Sequence, residues 1–239
     1  MRLKIQADLH THTIGSGHAY STIEEMARAA RRKGIKMLGM TDHSPAMPGA
    51  AHEYYFYNLR AIPDYINGVR ILKGTEANII NIQGELDLPP EYLASYDLVI
   101  ASAHYQATPD DLTKQQITDM YLKVMENPNV DIIGHIENPQ FVPDYPAVIA
   151  AAKVTGKIIE INNASFGLAR HGSFKNCLEI MQLLKEHNML TVINSDAHFS
   201  ERVGEIDRAM EVALEQGIKK ENILNLNWKK TAAYFKITL

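Results

Sequence analysis

The sequence predicts an α/β fold in which parallel strands alternate with helices and close into a barrel. Short apolar runs of the length of a buried strand recur along all 239 residues, and stretches with helical spacing separate them. Seven or eight such units in a chain of this length match a small TIM-like barrel. An open doubly wound sheet is the alternative, but the sequence lacks the glycine-rich nucleotide-binding motifs typical of that fold.

Seven strands are predicted in order along the chain. They are Leu3–Ala7, Lys36–Met40, Val69–Gly74, Leu98–Ala103, Val130–Gly134, Lys157–Ile161 and Leu190–Asn194. Because no linker or change of composition interrupts this order, residues 1–239 are predicted to form a single domain.

The first predicted helix follows Ser21, which can cap it with Glu24 three residues later, and it ends at Gly34. Ser44–Tyr57 is predicted to be a long loop, and Asn78–Leu88 a small hairpin. The later predicted helices are Tyr57–Asn67, Asp110–Glu126, Tyr145–Thr155, Ser173–His187, Ile206–Gln216 and Trp228–Phe235.

The composition is that of an ordinary soluble globular protein, with 46% hydrophobic and 22% charged residues. A net charge of −4 gives no reason to expect nucleic acid or an anionic membrane as the main partner. Cys177 is the single cysteine, so no intrachain disulfide is possible, which fits a reducing compartment. Without an 18-residue apolar run or a signal-peptide segment, the sequence predicts a cytoplasmic protein with no membrane partner.

Potential metal ligands follow the ends of the predicted strands. His10 and His12 come after the first strand, and Asp196 and His198 follow the last. The strand ends of a parallel barrel open on one face, and residues two apart in a strand point to the same side. We therefore expect these side chains to converge at one mouth.

Nine side chains of this kind are candidate metal ligands. They are His10, His12, His18, His43, Glu76, His104, His135, Asp196 and His198. Imidazole and carboxylate bind zinc, manganese and iron, and nine ligands suit two or three ions that keep positions for water and substrate. Glu76 follows a middle strand and is the candidate for bridging two ions. A lone His-x-His is a weak signal, so the joint pattern carries the prediction.

Three further residues are candidates for catalysis at this mouth. Arg170 precedes a helix that begins near Ser173, so its guanidinium and the helix N-terminus are predicted to bind phosphate. Asp8 lies two residues before His10 and is predicted to share its side of the strand, in a catalytic or orienting role. His52, in the long loop over the mouth, is either a lid or substrate residue or simply exposed.

Two residues nearby have open interpretations. Asp42 either orients a ligand histidine or caps the turn that follows it. Cys177 lies in a helical pattern and is predicted to be buried as a small apolar side chain.

An ordered series of motifs runs from the first strand to the last. They are His10-Thr11-His12-Thr13, the downstream His18, Thr41-Asp42-His43, Gly74-Thr75-Glu76, His104, Gly134-His135 and Ser195-Asp196-Ala197-His198. This series resembles the PHP family, named for polymerase and histidinol phosphatase. The resemblance implies a distorted (β/α)7 TIM-like barrel with a trinuclear metal centre.

Within that family, the sequence is most similar to the stand-alone bacterial phosphatases of unassigned physiological substrate. The segments that carry this likeness are His18–Thr22, Glu76–Ile79, Gly84–Asp87, Glu160–Phe166 and Arg170–Ser173. Glu137, in the loop after the fifth strand, is expected to alter the pocket beside the site.

The resemblance also implies how three divalent ions would be bound, with zinc expected and manganese or iron as alternatives. The three ligand sets are His10, His12, Glu76 and Asp196; His18, His43 and His198; and Glu76, His104 and His135.

The predicted activity is hydrolysis of a small-molecule phosphate monoester by attack of a metal-activated water. Arg170 would stabilise the phosphoryl charge, and a metal-bound water, Asp8 or His52 would protonate the leaving group. The alternatives are a phosphodiesterase or cyclic-phosphate hydrolase, a histidinol-phosphate phosphatase, and a non-catalytic metal-binding regulatory module. An oligomer is compatible with the sequence, which has no decisive interface.

Overall fold

Seven parallel strands form a nearly closed barrel in the computed structural model, which describes residues 3–239. Met1 and Arg2 of the predicted 1–239 domain lie outside the described residues. The strands are β1 (Ala7–Asp8), β2 (Met37–Met40), β4 (Val69–Asn78), β5 (Leu98–Ser102), β6 (Ile132–Ile133), β7 (Ile158–Asn162) and β8 (Thr191–Asn194). A two-residue strand, β3 (Tyr65–Ile66), pairs antiparallel with β4. The predicted (β/α)7 TIM-like barrel is confirmed.

The strands follow one another around the sheet in the order β1-β2-β4-β5-β6-β7-β8. Between β8 and β1 the described residues form one isolated parallel bridge, Thr11 with Ala197, and this seam leaves the barrel incompletely closed. The helices are α1 (Ile23–Lys33), α2 (Glu53–Tyr57), α3 (Pro90–Leu93), α4 (Lys114–Met125), α5 (Tyr145–Thr155), α6 (Phe174–Glu186), α7 (Asp207–Glu215) and α8 (Trp228–Tyr234).

Alternate residues of each strand face two separate apolar cores. In β4, Leu72 belongs to the core inside the barrel and Ile71 to the core between the sheet and the helices. The same alternation separates Ile132 from Ile133 in β6, because successive side chains of a strand point to opposite faces. Inward positions nearer the carboxyl ends of the strands carry polar residues, so the chemistry lies at that end of the barrel.

The predicted cap of α1 is one residue too early. Thr22, and not Ser21, caps the helix and forms a capping box with Glu25. The Ser21 hydroxyl instead accepts a hydrogen bond from the amide of Ser200 at 3.0 Å. Gly34 ends the helix in the left-handed conformation, as predicted.

The predicted helix over Tyr57–Asn67 is wrong. The chain there completes α2, makes a short 3-10 turn and enters β3. Asn67 and Gly68 follow with φ of 51° and 74°, the left-handed conformation of a tight hairpin turn that leads into β4. Helix α2 also replaces the end of the predicted loop Ser44–Tyr57.

Other predicted features agree with the structure. Helix α5 has the predicted bounds, and α4, α6, α7 and α8 lie within theirs. Residues 78–88 contain an antiparallel bridge between Ile79 and Leu86. Cys177 is buried within α6. Among residues 3–239, no helix has the length and apolar character needed to cross a membrane.

Candidate metal centre

The carboxyl ends of the strands bring all nine candidate ligands into one cluster. Glu76 lies near the end of β4, four residues after the inward Leu72, so its side chain points into the mouth of the barrel. His43 pairs with Glu76 in an isolated parallel bridge just beyond β2. His10 and His12 follow β1, and their ring centroids are 5.1 Å apart.

Glu76 is fully buried at the centre of the cluster. Five histidine nitrogens surround its carboxylate, at 2.8 Å from His135 Nε2, 2.8 Å from His43 Nδ1, 3.3 Å from His104 Nε2, 3.3 Å from His10 Nε2 and 3.6 Å from His12 Nε2. Both carboxylate oxygens take part in these contacts. This arrangement is the one expected of a carboxylate that bridges ions.

Asp196 and His198 complete the opposite side of the cluster. Asp196 Oδ1 lies 3.1 Å from His12 Nε2 and 3.7 Å from His10 Nε2. His198 Nε2 lies 3.1 Å from His18 Nε2, and this pair is the more exposed part of the cluster. The open side of the centre is therefore marked by His18 and His198.

The histidines are oriented by acceptors behind them. Glu160 Oε1 lies 2.8 Å from His10 Nδ1, and Asn78 Oδ1 lies 2.7 Å from His104 Nδ1. Each contact leaves the other ring nitrogen facing the centre. Metal-binding histidines commonly have one nitrogen on the ion and the other on such a partner.

Seven of the nine candidates have a buried polar atom without a hydrogen-bond partner. These atoms are His10 Nε2, His12 Nε2, His43 Nδ1, Glu76 Oε2, His104 Nε2, His135 Nδ1 and Asp196 Oδ1. Buried polar groups almost always have a partner, so a cluster of unpaired ones needs an explanation. The described residues include three groups whose ligand atoms lie within 4.8 Å of one another, which a metal ion would join: His12, His43 and His198; His10, His12 and Glu76; and His43, Glu76 and His104. The donor set fits divalent metal ions.

Charge and burial favour the protonation states that ligate metals. Burial lowers the pKa of His12 well below its ordinary value, and His198 and His43 lower it further. Burial raises the pKa of Glu76, but neighbouring histidines, His10 first, outweigh it and bring the pKa well below its usual value. A neutral imidazole and an ionised carboxylate are the forms that bind ions.

His10 is the exception among the buried rings. Burial lowers its pKa, but the carboxylates of Glu160, Glu76 and Asp196 outweigh burial and raise the pKa well above the ordinary value. In the metal-free protein this ring therefore holds a proton that a metal ion would displace.

Backbone strain accompanies two of the candidate ligands. His135 has φ of 25° and Asp196 has φ of 55°, both in the left-handed region that non-glycine residues rarely adopt. Strained backbone of this kind concentrates at functional sites, where the surrounding structure holds it in place. At both positions the residue with this backbone conformation has a side chain that faces the cluster.

Arg170 lies at the edge of the cluster. Its Nη2 donates to Asp196 Oδ2 at 2.8 Å, and its Nη1 donates to Ser165 Oγ at 3.3 Å. The side chain is 15% exposed. The guanidinium is thus held in place beside the centre.

Asp8 and His52 lie outside the cluster. The Asp8 carboxylate accepts hydrogen bonds from the Ser195 amide at 3.2 Å, the Ser195 hydroxyl at 2.5 Å and the Gly204 amide at 2.7 Å. All three donors belong to the segment from Ser195 to Gly204, so the Asp8 carboxylate anchors that segment. His52 is exposed and caps α2 by accepting from the amide of Tyr54.

Asp42 is linked to the candidate ligand His12 through the hydroxyl of Ser16. Its Oδ1 accepts from the Ser16 hydroxyl at 2.7 Å, and Ser16 Oγ lies 3.0 Å from His12 Nδ1. No pattern in the sequence points to Ser16 for this contact. The sequence did carry a signal for the other two partners: Glu160 lies within the sixth predicted strand and Asn78 follows the third, both at inward positions like Glu76.

A family model described as PHP domain matches residues 8–171. The chain belongs to the PHP family. Two relatives named probable phosphatases, from Thermoanaerobacter sp. (strain X514) and from Acetivibrio thermocellus, are each 46% identical over 234 residues, which is 98% of this chain and 96% of the relative. The prediction of a metal-dependent phosphatase of the PHP family is confirmed.

A solved structure shares the PHP fold. Histidinol phosphate phosphatase from Lactococcus lactis, described as complexed with zinc, L-histidinol and phosphate, superposes with a TM-score of 0.63. The identity is 18%, and the match covers 92% of this chain and 95% of that one. The likeness supports the barrel architecture found here.

Proposed function

We propose that the chain hydrolyses phosphate monoesters of small molecules with three divalent ions bound by the nine clustered side chains. The observation that carries this proposal is that seven of the twelve buried side-chain nitrogens and oxygens without hydrogen-bond partners in the described residues belong to the cluster. Divalent ions bound there would polarise phosphoryl oxygens and activate a water. The named phosphatase relatives support the same reaction class.

The proposed ligand sets are those that the resemblance to the PHP family implies. One ion would be held by His10, His12, Glu76 and Asp196; a second by His18, His43 and His198; and the third by Glu76, His104 and His135. The position of Glu76 between five histidine nitrogens supports its assignment to two of the ions. Zinc is the proposed metal, supported by the nitrogen-rich donor set and by the zinc described in the Lactococcus lactis enzyme.

Arg170 is the proposed phosphoryl contact of the chain itself. Its guanidinium is held by Asp196 and Ser165, so a phosphoryl group at the centre would meet a donor that is already oriented. Asp8 and His52 are bonded to the loop of Ser195 and to α2, respectively. A role of Asp8 or His52 in protonating the leaving group stays a prediction.

The recessed cluster favours a terminal phosphoryl group. Seven of the nine proposed ligands are buried, and the exposed pair His18 and His198 leaves one open side. A monoester can insert its phosphoryl group and leave the alcohol outside, whereas a diester carries substituents on two oxygens. We therefore place monoesters ahead of diesters.

Elemental analysis of the purified chain and an ester comparison test this function. We expect about three ions per chain and faster hydrolysis of 4-nitrophenyl phosphate than of bis(4-nitrophenyl) phosphate. Glu76→Gln should lower both metal content and turnover, whereas Glu126→Gln, at an exposed position, is the matched control. A fully loaded chain that hydrolyses no phosphate ester would refute the proposal, and a preference for the diester would refute the monoester assignment.

A further inference from the structure

Three exposed apolar residues lie on the backbone segments next to His18 and His198, at the open side of the metal centre. Ile14 is 60% exposed, Tyr20 77% and Phe199 48%. We call these three residues the rim patch. Large apolar side chains exposed in a group commonly mark a binding surface, whereas single ones need no explanation.

Backbone hydrogen bonds hold the rim patch in one place. The Tyr20 amide donates to the His198 carbonyl at 2.9 Å, and the Ile14 amide donates to the Ser21 carbonyl at 3.0 Å. The segment of Tyr20 therefore lies beside that of Phe199, and Ile14 lies next to Tyr20. The three side chains belong to neighbouring backbone segments.

The rim patch also adjoins the outermost ligands. Exposure alternates from His18 to Ser21, with His18 and Tyr20 exposed and Ala19 and Ser21 buried, as in an extended segment. Tyr20 thus projects to the same side as His18, while Phe199 directly follows His198. His18 and His198 form the exposed ligand pair, with their Nε2 atoms 3.1 Å apart.

We infer that the rim patch binds the alcohol portion of the substrate, and that this portion carries a flat aromatic ring. The inference rests on the proposed function, in which the phosphoryl group occupies the metal centre. A monoester anchored there has one side open, and its alcohol leaves the centre past His18 and His198. Tyr20 and Phe199 are exposed and lie beside that opening along the backbone, and aromatic side chains are those on which another ring stacks.

Esters with similar alcohol reactivity test the inference in the zinc-loaded full chain. The substrates are ethyl phosphate, 2-cyclohexylethyl phosphate and 2-phenylethyl phosphate. We expect kcat/KM for the phenyl ester to exceed that for the ethyl ester about tenfold, with the cyclohexyl ester between them. The preference should appear mainly in KM, because the ring contacts are made before and during the reaction alike.

Variants assign the preference to the rim patch. Tyr20→Ala and Phe199→Ala should each reduce the phenyl-to-ethyl ratio about threefold or more, whereas Tyr20→Phe should retain it. Tyr65→Ala is the matched control, because Tyr65 is a 48% exposed tyrosine on β3, beside the amino end of β4. Circular dichroism of each variant checks that it folds, and the ring-retaining Tyr20→Phe and Phe199→Tyr preserve the test where an alanine variant does not fold.

Binding of non-hydrolysable phosphonates separates the rim patch from the phosphatase reaction. Calorimetry should show benzylphosphonate binding about tenfold more tightly than methylphosphonate, with this advantage reduced in Tyr20→Ala. If the phosphonate preference is present but no ester is hydrolysed, the patch stands and the proposed function fails. Equal ratios in the wild type and the alanine variants, an equal preference for the cyclohexyl ester, or loss of a dimer in Tyr20→Ala by light scattering would overturn the inference.

Discussion

Glu137 allows a quantitative test of the electrostatics beside the metal centre. This carboxyl is 2% exposed, its Oε1 has no hydrogen-bond partner, and burial raises its pKa from the ordinary 4.5 to about 7 against the opposing influence of Arg170. In the metal-free protein, replacement by glutamine removes this titration and keeps the shape of the side chain. The difference in the free energy of unfolding between wild type and Glu137→Gln therefore reports the titration of this one carboxyl group.

The sign and size of the effect follow from the two pKa values. Between pH 4.5 and about 7 the folded state holds a proton that the unfolded state has lost, so wild-type stability falls as pH rises through this range. A difference of about 2.5 pH units at 1.36 kcal/mol each gives about 3 kcal/mol. We expect the wild type to lose about 3 kcal/mol relative to Glu137→Gln between about pH 4 and pH 8.

Urea unfolding of both proteins, after removal of metal with a chelator, measures this difference across the pH range. Glu91→Gln, at an exposed position of α3, is the matched control for loss of one carboxylate. A flat difference curve, or a wild type that gains stability relative to Glu137→Gln as pH rises, would refute the reasoning.

Three further predictions concern the ligands and their supporting loops. Glu160→Gln removes the charged acceptor behind His10 and should weaken zinc binding about 10- to 100-fold in a competition titration; unchanged affinity would contradict its orienting role. Zinc binding at pH 7 should release a proton from His10, whose pKa the carboxylates raise, and calorimetry in two buffers of different ionisation enthalpy should detect it. Gly17→Ala places a Cβ 1.9 Å from the Gly49 carbonyl and should lower the free energy of unfolding by more than about 1 kcal/mol. Gly156 has a similar φ of 72°, but a Cβ there would have no atom within 4 Å, so Gly156→Ala is the control. An equal loss of stability in Gly156→Ala would show that φ alone, and not the contact with Gly49, causes the effect.

The ligand cluster could be predicted from sequence because strand order determines where strand ends meet. Histidines such as His104 and His135 are far apart along the chain, but each follows an apolar run, and a parallel barrel brings such positions to one face. Glu76 shares the inward side with Leu72 by simple alternation. Periodicity and topology thus sufficed for the centre itself.

Other features depend on contacts that a local pattern does not contain. Ser21 and Thr22 each have a glutamate three residues later, and the choice between them depends on Ser200, which uses the Ser21 hydroxyl. The Asp8 carboxylate accepts hydrogen bonds from the loop of Ser195 and Gly204, and the sequence around Asp8 does not contain that contact. In contrast, Asn67-Gly68 was a recognisable hairpin turn, and its signal argued against the helix predicted there.

The incompletely closed seam between β1 and β8 couples metal binding to the order in which the barrel assembles. Across the seam, the Leu9 amide donates to Asn194 Oδ1 at 3.1 Å, and Asp8 holds Ser195, although these partners are separated by 185 and 187 residues. Contacts so distant in sequence form late, because the loop between them must close first. His10 and Asp196 lie on opposite sides of this seam, so a nascent chain offers a complete centre only after its last strand has joined its first. Ions bound there would then hold β1 and β8 together across the seam. Their removal should accelerate amide hydrogen exchange first along β1 and β8.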